Sequence, residues 1–309
     1  MAVIDKFILE KAPGPLVEIP EALIRARVAF GGALDALAQV RDEQLTYQWM
    51  WGSEAADVRY GFYRVLEILE GATSAARLAL ASQPSTEARE AVAAATVARW
   101  ALHGVLATLT DADLDADPGG GEWTIRQTMG HIIGGQRGYA WGSAWWLSRH
   151  DQPRPPGEQR PPAEAFAGIP EDDEESVGSL ADIRQALDDV VDSTSSRYAT
   201  LTPQEWLVNS GWSGLPVTIG FRQWRWSSHI QEHTIQIEKT IDMLRRPRSE
   251  VSWLTRSNAR AFGELGATTF GRASAGDAAP ILEHVALELD ELRASLPAAA
   301  AAAVPGDEF

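Results

Sequence analysis

Apolar residues recur at helical spacing along nearly the whole chain, and no stretch shows convincing strand alternation. That pattern confines the fold to packed helices, each needing a partner for its apolar stripe. A first helix is expected over about 20–46, with Leu23, Phe30, Leu34 and Leu37 as its stripe, and a second from about Asp57 to Leu80. A third, about 88–110, carries Val92, Leu102, Leu106 and Leu109 at coiled-coil-like spacing. The fourth runs from Thr124 to about Ser148. Gln127 gives it a capping box and Trp123 a staple. Residues 151–178 hold six prolines and the acidic run from Glu171 to Glu175, so a long crossover loop with little regular structure is expected. A fifth helix starts at Ser179 with Asp182 at its third position. It presents Leu180, Ile183, Leu187, Val190 and Leu201. Gly211 to Gly220 reads as a turn or short hairpin. A helix over about 221–245 and a last one over about 279–296 follow, and the alanine-rich residues 297–309 are expected to fray.

Charge narrows the function. A net charge of −16 argues against a nucleic-acid surface, which needs clustered Lys and Arg. No apolar run approaches the ~20 residues that span a bilayer, and the first residues lack a signal-peptide core, so the expected address is the cytoplasm, with no membrane partner. The chain has no cysteine, which excludes disulfides, thiolate ligands and a cysteine nucleophile. Any metal is held by nitrogen and oxygen. Any thiol chemistry uses a thiol brought by a substrate.

Three histidines remain to do chemistry. His229 and His233 are four apart on a predicted helix, so both imidazoles point to one side with Cβ atoms roughly 5–6 Å apart. A third imidazole from another helix, such as His131, completes a facial set of three nitrogens with room left for water or substrate. A solvated or core-satisfied pair is the plainer account of His-x-x-x-His alone. The same helix face carries Arg222, Trp226, Gln236 and Thr240. Gln236 reads either as a hydrogen-bond partner to a ligand or substrate, or as a core glutamine satisfied by backbone. Arg222 and Arg225 are candidates to clamp a carboxylate. Glu232 is a candidate for proton transfer or a solvated residue on the helix back. On the His131 helix, Gly134, Gly135, Gly138 and Gly142 share the His131 side. Each costs roughly 1 kcal/mol against Ala, so they mark either close helix packing or space for a ligand. Trp141, Trp145 and Trp146 either roof such a space or form core or an oligomer face. The candidate pocket comprises Gly134, Gly138, Trp141 and Trp226. His103, His150 and His284 read as structural.

A faint internal repeat aligns Asp42…Trp51…Asp57-Val-Arg59 with Asp111…Trp123…Thr124-Ile-Arg126, which sets Arg64 opposite His131. Chance similarity between amphipathic hairpins accounts for it equally well.

The elements Glu122-Trp-Thr-Ile-Arg-Gln-Thr-Met-Gly-His131, the Pro-rich crossover, the Gly-Trp-Ser-Gly turn and His229-x-x-x-His233 resemble the DinB-like superfamily of metal-binding four-helix bundles over roughly residues 88–245. The resemblance implies an all-α metal-binding bundle; the chain reads as that bundle over 87–298, with an N-terminal helical hairpin extension at 1–86 that departs from the minimal family pattern, a C-terminal helix and a flexible tail at 299–309. The resemblance also implies one divalent metal (Zn, Ni or Fe) on His131, His229 and His233. Relatives include mycothiol-dependent maleylpyruvate isomerase and bacillithiol transferases, in which the metal activates a low-molecular-weight thiol. The expected function is therefore a metal-dependent small-thiol transferase or isomerase acting on a small molecule, with a homodimer as the candidate assembly. The alternatives are a metal-dependent hydrolase and a non-catalytic, metal-stabilised binding or assembly protein.

Overall fold

The computed structural model describes residues 16–151, 160–270 and 275–301. In chain order its elements are α1 (Glu21–Leu37), β1 (Gln48–Trp51), β2 (Glu54–Asp57), α2 (Val58–Ala79), α3 (Glu87–Leu106), α4 (Asp111–Leu114) and α5 (Ile125–Leu147). Then come α6 (Asp172–Glu175), α7 (Leu180–Tyr198), α8 (Pro203–Trp206), β3 (Asn209–Trp212), β4 (Leu215–Thr218), α9 (Ile219–Met243), α10 (Glu250–Thr269) and α11 (Ala275–Ala301). The fold is all-α, relieved by two small hairpins. No described helix is long and apolar enough to cross a membrane.

Contacts divide the chain into two units. Unit 1 comprises Met1–Glu18, Ser85–Arg99 and Thr110–Arg245, and unit 2 comprises Ile19–Pro84, Trp100–Leu109 and Arg246–Phe309. In unit 1, α5 packs on α7 and α9. Ile132, Ile133 and Ala140 of α5, Ile183, Leu187 and Tyr198 of α7, and Trp226, Ile230 and Ile237 of α9 are all buried. Thr124 and Gln127 form the expected capping box at α5, with N–H···O distances of 2.9 and 3.2 Å, and Ser179 with Asp182 repeats it at α7. The crossover is more structured than its prolines suggest. Residues 152–159 lie outside the described residues, but Ala163–Phe166 form a 3-10 turn and the acidic run winds into α6. The tail expectation also fails over its first residues: α11 continues to Ala301, and Ala300 is buried with its carbonyl accepting from Gln44 Nε2 at 2.9 Å. Residues 302–309 lie outside the described residues.

In unit 2 the N-terminal pair α1 and α2 shares its core with α10 and α11 rather than standing as an extension. Phe30 stacks on Phe262 at 4.4 Å between centroids, and Trp100 meets both rings edge-on. The first helix stops at Leu37, short of the expected 46. A 3-10 turn at Asp42–Gln44 follows, and the Asp42 carboxylate accepts from Glu250 N and Val251 N at 2.9 and 3.0 Å, capping α10.

The two hairpins have one geometry. Gln48 pairs with Asp57 and Trp51 with Glu54, as Asn209 pairs with Thr218 and Trp212 with Leu215. In each, the last strand residue caps the next helix: Asp57 accepts from Tyr60 N, and Thr218 from Phe221 N. The next amide bonds back, Val58 N to Tyr47 O and Ile219 N to Val208 O, both at 2.9 Å. Arg64 lies over Trp51 at 5.3 Å from the ring centroid, and Arg225 over Trp212 at 5.6 Å. The structural counterpart of the first hairpin is thus the second, not residues 111–126 with which the sequence aligned it, and Arg64 corresponds to Arg225, not His131. In this register Ile68 stands for His229 and Ala72 for His233. Likewise the Arg222 side chain lies against Gly142, whereas its counterpart Gly61 lies against Leu296. Stepping back from Leu296 at the spacing of Gly142, Gly138, Gly135 and His131 gives Leu292, Leu289 and Val285, all buried. Unit 2 has aliphatic core where unit 1 has histidines and glycines.

The Gly61–Leu296 contact admits a test. Gly61→Ala should destabilise by about 1–3 kcal/mol through overpacking, and Leu296→Ala by about 2–5 kcal/mol through a cavity. Together they should cost less than the sum, because the new methyl enters the vacated space. Urea unfolding of the four proteins measures the coupling, and strict additivity would show that the two positions do not meet.

Candidate metal centre

α9 carries His229 and His233 one turn apart, with ring centroids 4.5 Å from each other. α5 presents His131 to both, at 5.3 and 4.7 Å. One nitrogen from each ring lies within 4.8 Å of the others. Among the described residues this is the one such group of His, Cys, Asp or Glu. It has a closed floor and an open side: His229 is 3% exposed, His233 is half-buried, and the His131 side chain is 34% exposed.

Two of the rings are oriented from behind. His131 Nδ1 lies 2.9 Å from Asp172 Oδ2, and His233 Nδ1 lies 2.8 Å from Gln236 Oε1. Both partners are acceptors, so Nδ1 carries the proton and Nε2 keeps a lone pair for an ion. His229 Nδ1 is buried without a hydrogen-bond partner among the described residues. Burial, then the neighbouring His233 and His131, push the His229 pKa down to about 3, and burial also lowers that of His233. Neutral imidazole is the ligating form. Three imidazole nitrogens, two of the rings oriented and one buried without a partner among the described residues, fit a first-row divalent ion.

The glycine face of α5 divides by position. A Cβ on Gly135 would fall 2.5 Å from His229 Cε1, so only glycine lets that ring occupy its place. Gly134 and Gly130 receive Asp172, and Gly142 receives Arg222. Gly138 alone of this face has nothing within 4 Å of where a Cβ would be. Its place on this face is open space.

The arginines expected as clamps are engaged within the protein. Arg222 is buried and donates to Gly211 O at 2.8 Å and to Ser143 Oγ and Tyr139 O at 3.3 Å. Burial lowers its pKa to about 10, which leaves it charged at neutral pH. Arg225 makes a two-pronged pair with the exposed Glu232 at 2.7 and 2.8 Å and donates to Ser228 at 3.0 Å. Trp141 and Trp226 are 3% and 1% exposed, and Trp226 packs edge-on against Tyr198, so both belong to the core. Trp146 is equally buried. The aromatic groups that do border the centre are others. Tyr139 meets His229 at 5.1 Å and Trp212 at 4.6 Å, and Trp123, 40% exposed, meets His131 edge-on at 5.2 Å. Among the remaining histidines, His103 packs on Trp100, His150 bonds Leu147 O, and His284 is exposed beside Glu288.

Asp172 is the residue that sequence reasoning missed. Inside a run of five carboxylates nothing local distinguishes it from the others. Only the position of α6 does.

The buried His229 makes stability depend on pH. Above pH 6.5 it is neutral in both folded and unfolded chains. Below that, the unfolded chain takes up a proton that the fold refuses until about pH 3, so stability falls with pH across this window. By pH 5 the loss in chelator-treated protein should be roughly 2 kcal/mol from this group. The urea midpoint should drop between pH 7 and 5, and His229→Gln should shrink that drop. An unchanged pH dependence in the variant would contradict the assignment.

Residues 94–237 match the family model of the DinB superfamily. No curated protein and no solved structure matches the chain. The matched segment contains α5, α7 and most of α9 with all three histidines, so this segment is a DinB-superfamily bundle.

Proposed function

We propose that unit 1 is a divalent-metal-dependent transferase or isomerase acting on a small molecule together with a low-molecular-weight thiol. The observation that carries this reading is the convergence of three imidazoles, with an open position at Gly138 on the His131 side of α5. His131, His229 and His233 would hold the divalent ion, which when bound would supply Lewis acidity to a thiol. The chain's own residues do the rest. Asp172 and Gln236 fix two of the rings, so the donor set is preorganised. Gly138 leaves room on the His131 side of α5, and Tyr139 with Trp212 forms an aromatic wall beside His229. Arg225 and Glu232 form an ion pair on the same helix. Because the chain has no cysteine, the nucleophilic sulfur comes with the substrate.

Plasma emission should find about one equivalent of a divalent metal per chain, and none after His229→Ala with His233→Ala. Full metal in that double variant would remove these histidines from the centre. Gly138→Leu should keep the metal but weaken calorimetric binding of cysteine or glutathione by about tenfold or more. Wild-type affinity in Gly138→Leu would place the thiol elsewhere. Turnover of an ester or amide without any thiol would make the protein a metal-dependent hydrolase instead.

A further inference from the structure

The crossover between α5 and α7 holds one short helix tightly to the metal-bearing helix. Arg137 of α5 is 4% exposed and pairs with Glu175 of α6, itself 7% exposed, with Nη2 to Oε2 at 2.7 Å. Arg126, nearer the start of α5, donates to the carbonyls of Ser176 and Gly178 at 2.5 and 2.9 Å, just beyond α6. Gly130 and Gly134 lie between these anchors, and each is in contact with Asp172 where any side chain would collide. So α5 is bare where α6 docks, and charged on either side of the dock. A helix of four residues cannot sustain itself, so its place is set by these contacts. Held there, Asp172 Oδ2 reaches His131 Nδ1 at 2.9 Å. Among the described residues no other charged group hydrogen-bonds a ring of this centre. His233 has the neutral amide of Gln236.

Resting on the metal-binding reading above, we infer that α6 is a clasp for the centre, in which Asp172 is a positioning residue that fixes the His131 tautomer and orientation while Arg137 and Glu175 hold Asp172 in place. A carboxylate behind a ligating imidazole keeps the proton on Nδ1, aims Nε2 at the ion and raises its basicity. Removing such a partner typically costs about 10–100-fold in metal affinity. The crossover then determines how tightly the metal is held, although it contributes no ligand.

Zinc affinity by chelator competition, and the His131 tautomer by long-range nitrogen–proton NMR in metal-free protein, test this. Asp172→Ala should weaken zinc binding by about 10–100-fold and change the His131 tautomer pattern, with the metal-free melting temperature unchanged. Asp172→Asn, which can still accept from Nδ1 but carries no charge, should restore the tautomer and part of the affinity. Glu175→Gln should lower the metal-free melting temperature and weaken zinc binding as well, because the dock loosens. Zinc affinity in Asp172→Ala within about threefold of wild type, or an unaltered His131 tautomer, would overturn the clasp. If wild-type protein binds no zinc while the tautomer still depends on Asp172, the failure lies in the metal reading, and the positioning role stands.

Discussion

Two helices can bring imidazoles to one point only if their backbones come close enough, and in unit 1 that approach is set by what α5 omits. At Gly135 the His229 ring occupies the volume a methyl would need, and at Gly142 the Arg222 guanidinium does the same. Each glycine weakens α5 as a helix by roughly 1 kcal/mol. The close approach returns that through packing of Ile132, Ile133, Trp226 and Ile230 in the adjoining core. The same economy explains the crossover: Gly130 and Gly134 admit α6, and α6 supplies the acceptor behind His131.

Buried charge is the second organising term. Arg222 sits in the interior with carbonyl and hydroxyl acceptors but no carboxylate, tying β3 through Gly211 to α5 through Tyr139 and Ser143. Arg99, 1% exposed, is held by Asp188 and Asp192 on successive turns of α7. Arg137 has Glu175, whose pKa burial pushes upward against the pull of the guanidinium. Breaking such a pair by removing one partner costs about 3–5 kcal/mol, because the other is left buried and uncompensated. The Arg137–Glu175 pair ties α6 to α5, and the Arg99 pairs tie α3 to α7.

How much of this could be read from the sequence follows from the range of each signal. Caps at Thr124 and Ser179 are local, spanning three residues, and both were legible. The His229–His233 pair is likewise local, and its helix follows from periodicity. The β1–β2 hairpin was not legible, because four-residue strands are too short for alternation to register. α10 escaped notice because its buried face is diluted by Thr255, Asn258, Gly263, Gly266 and Thr268, which blur the apolar stripe. The role of Asp172 depends on a contact 41 positions away along the chain. The division of labour among the glycines depends on which partner each one meets, and composition carries neither.

The matching hairpins of the two units have a consequence for how the chain can vary. Val285, Leu289, Leu292 and Leu296 fill in unit 2 the places held by His131 and three glycines in unit 1. An aliphatic interior accepts exchange among Leu, Ile, Val and Met at modest cost, so long as volume is conserved. The histidine–glycine interior accepts almost none, since Gly135 has no larger substitute and an imidazole has no isostere that ligates equally. These four positions of unit 2 are therefore free to drift in sequence while keeping their shape. Their counterparts in unit 1 are pinned residue by residue, and divergence between copies of the gene should accumulate unevenly along the chain.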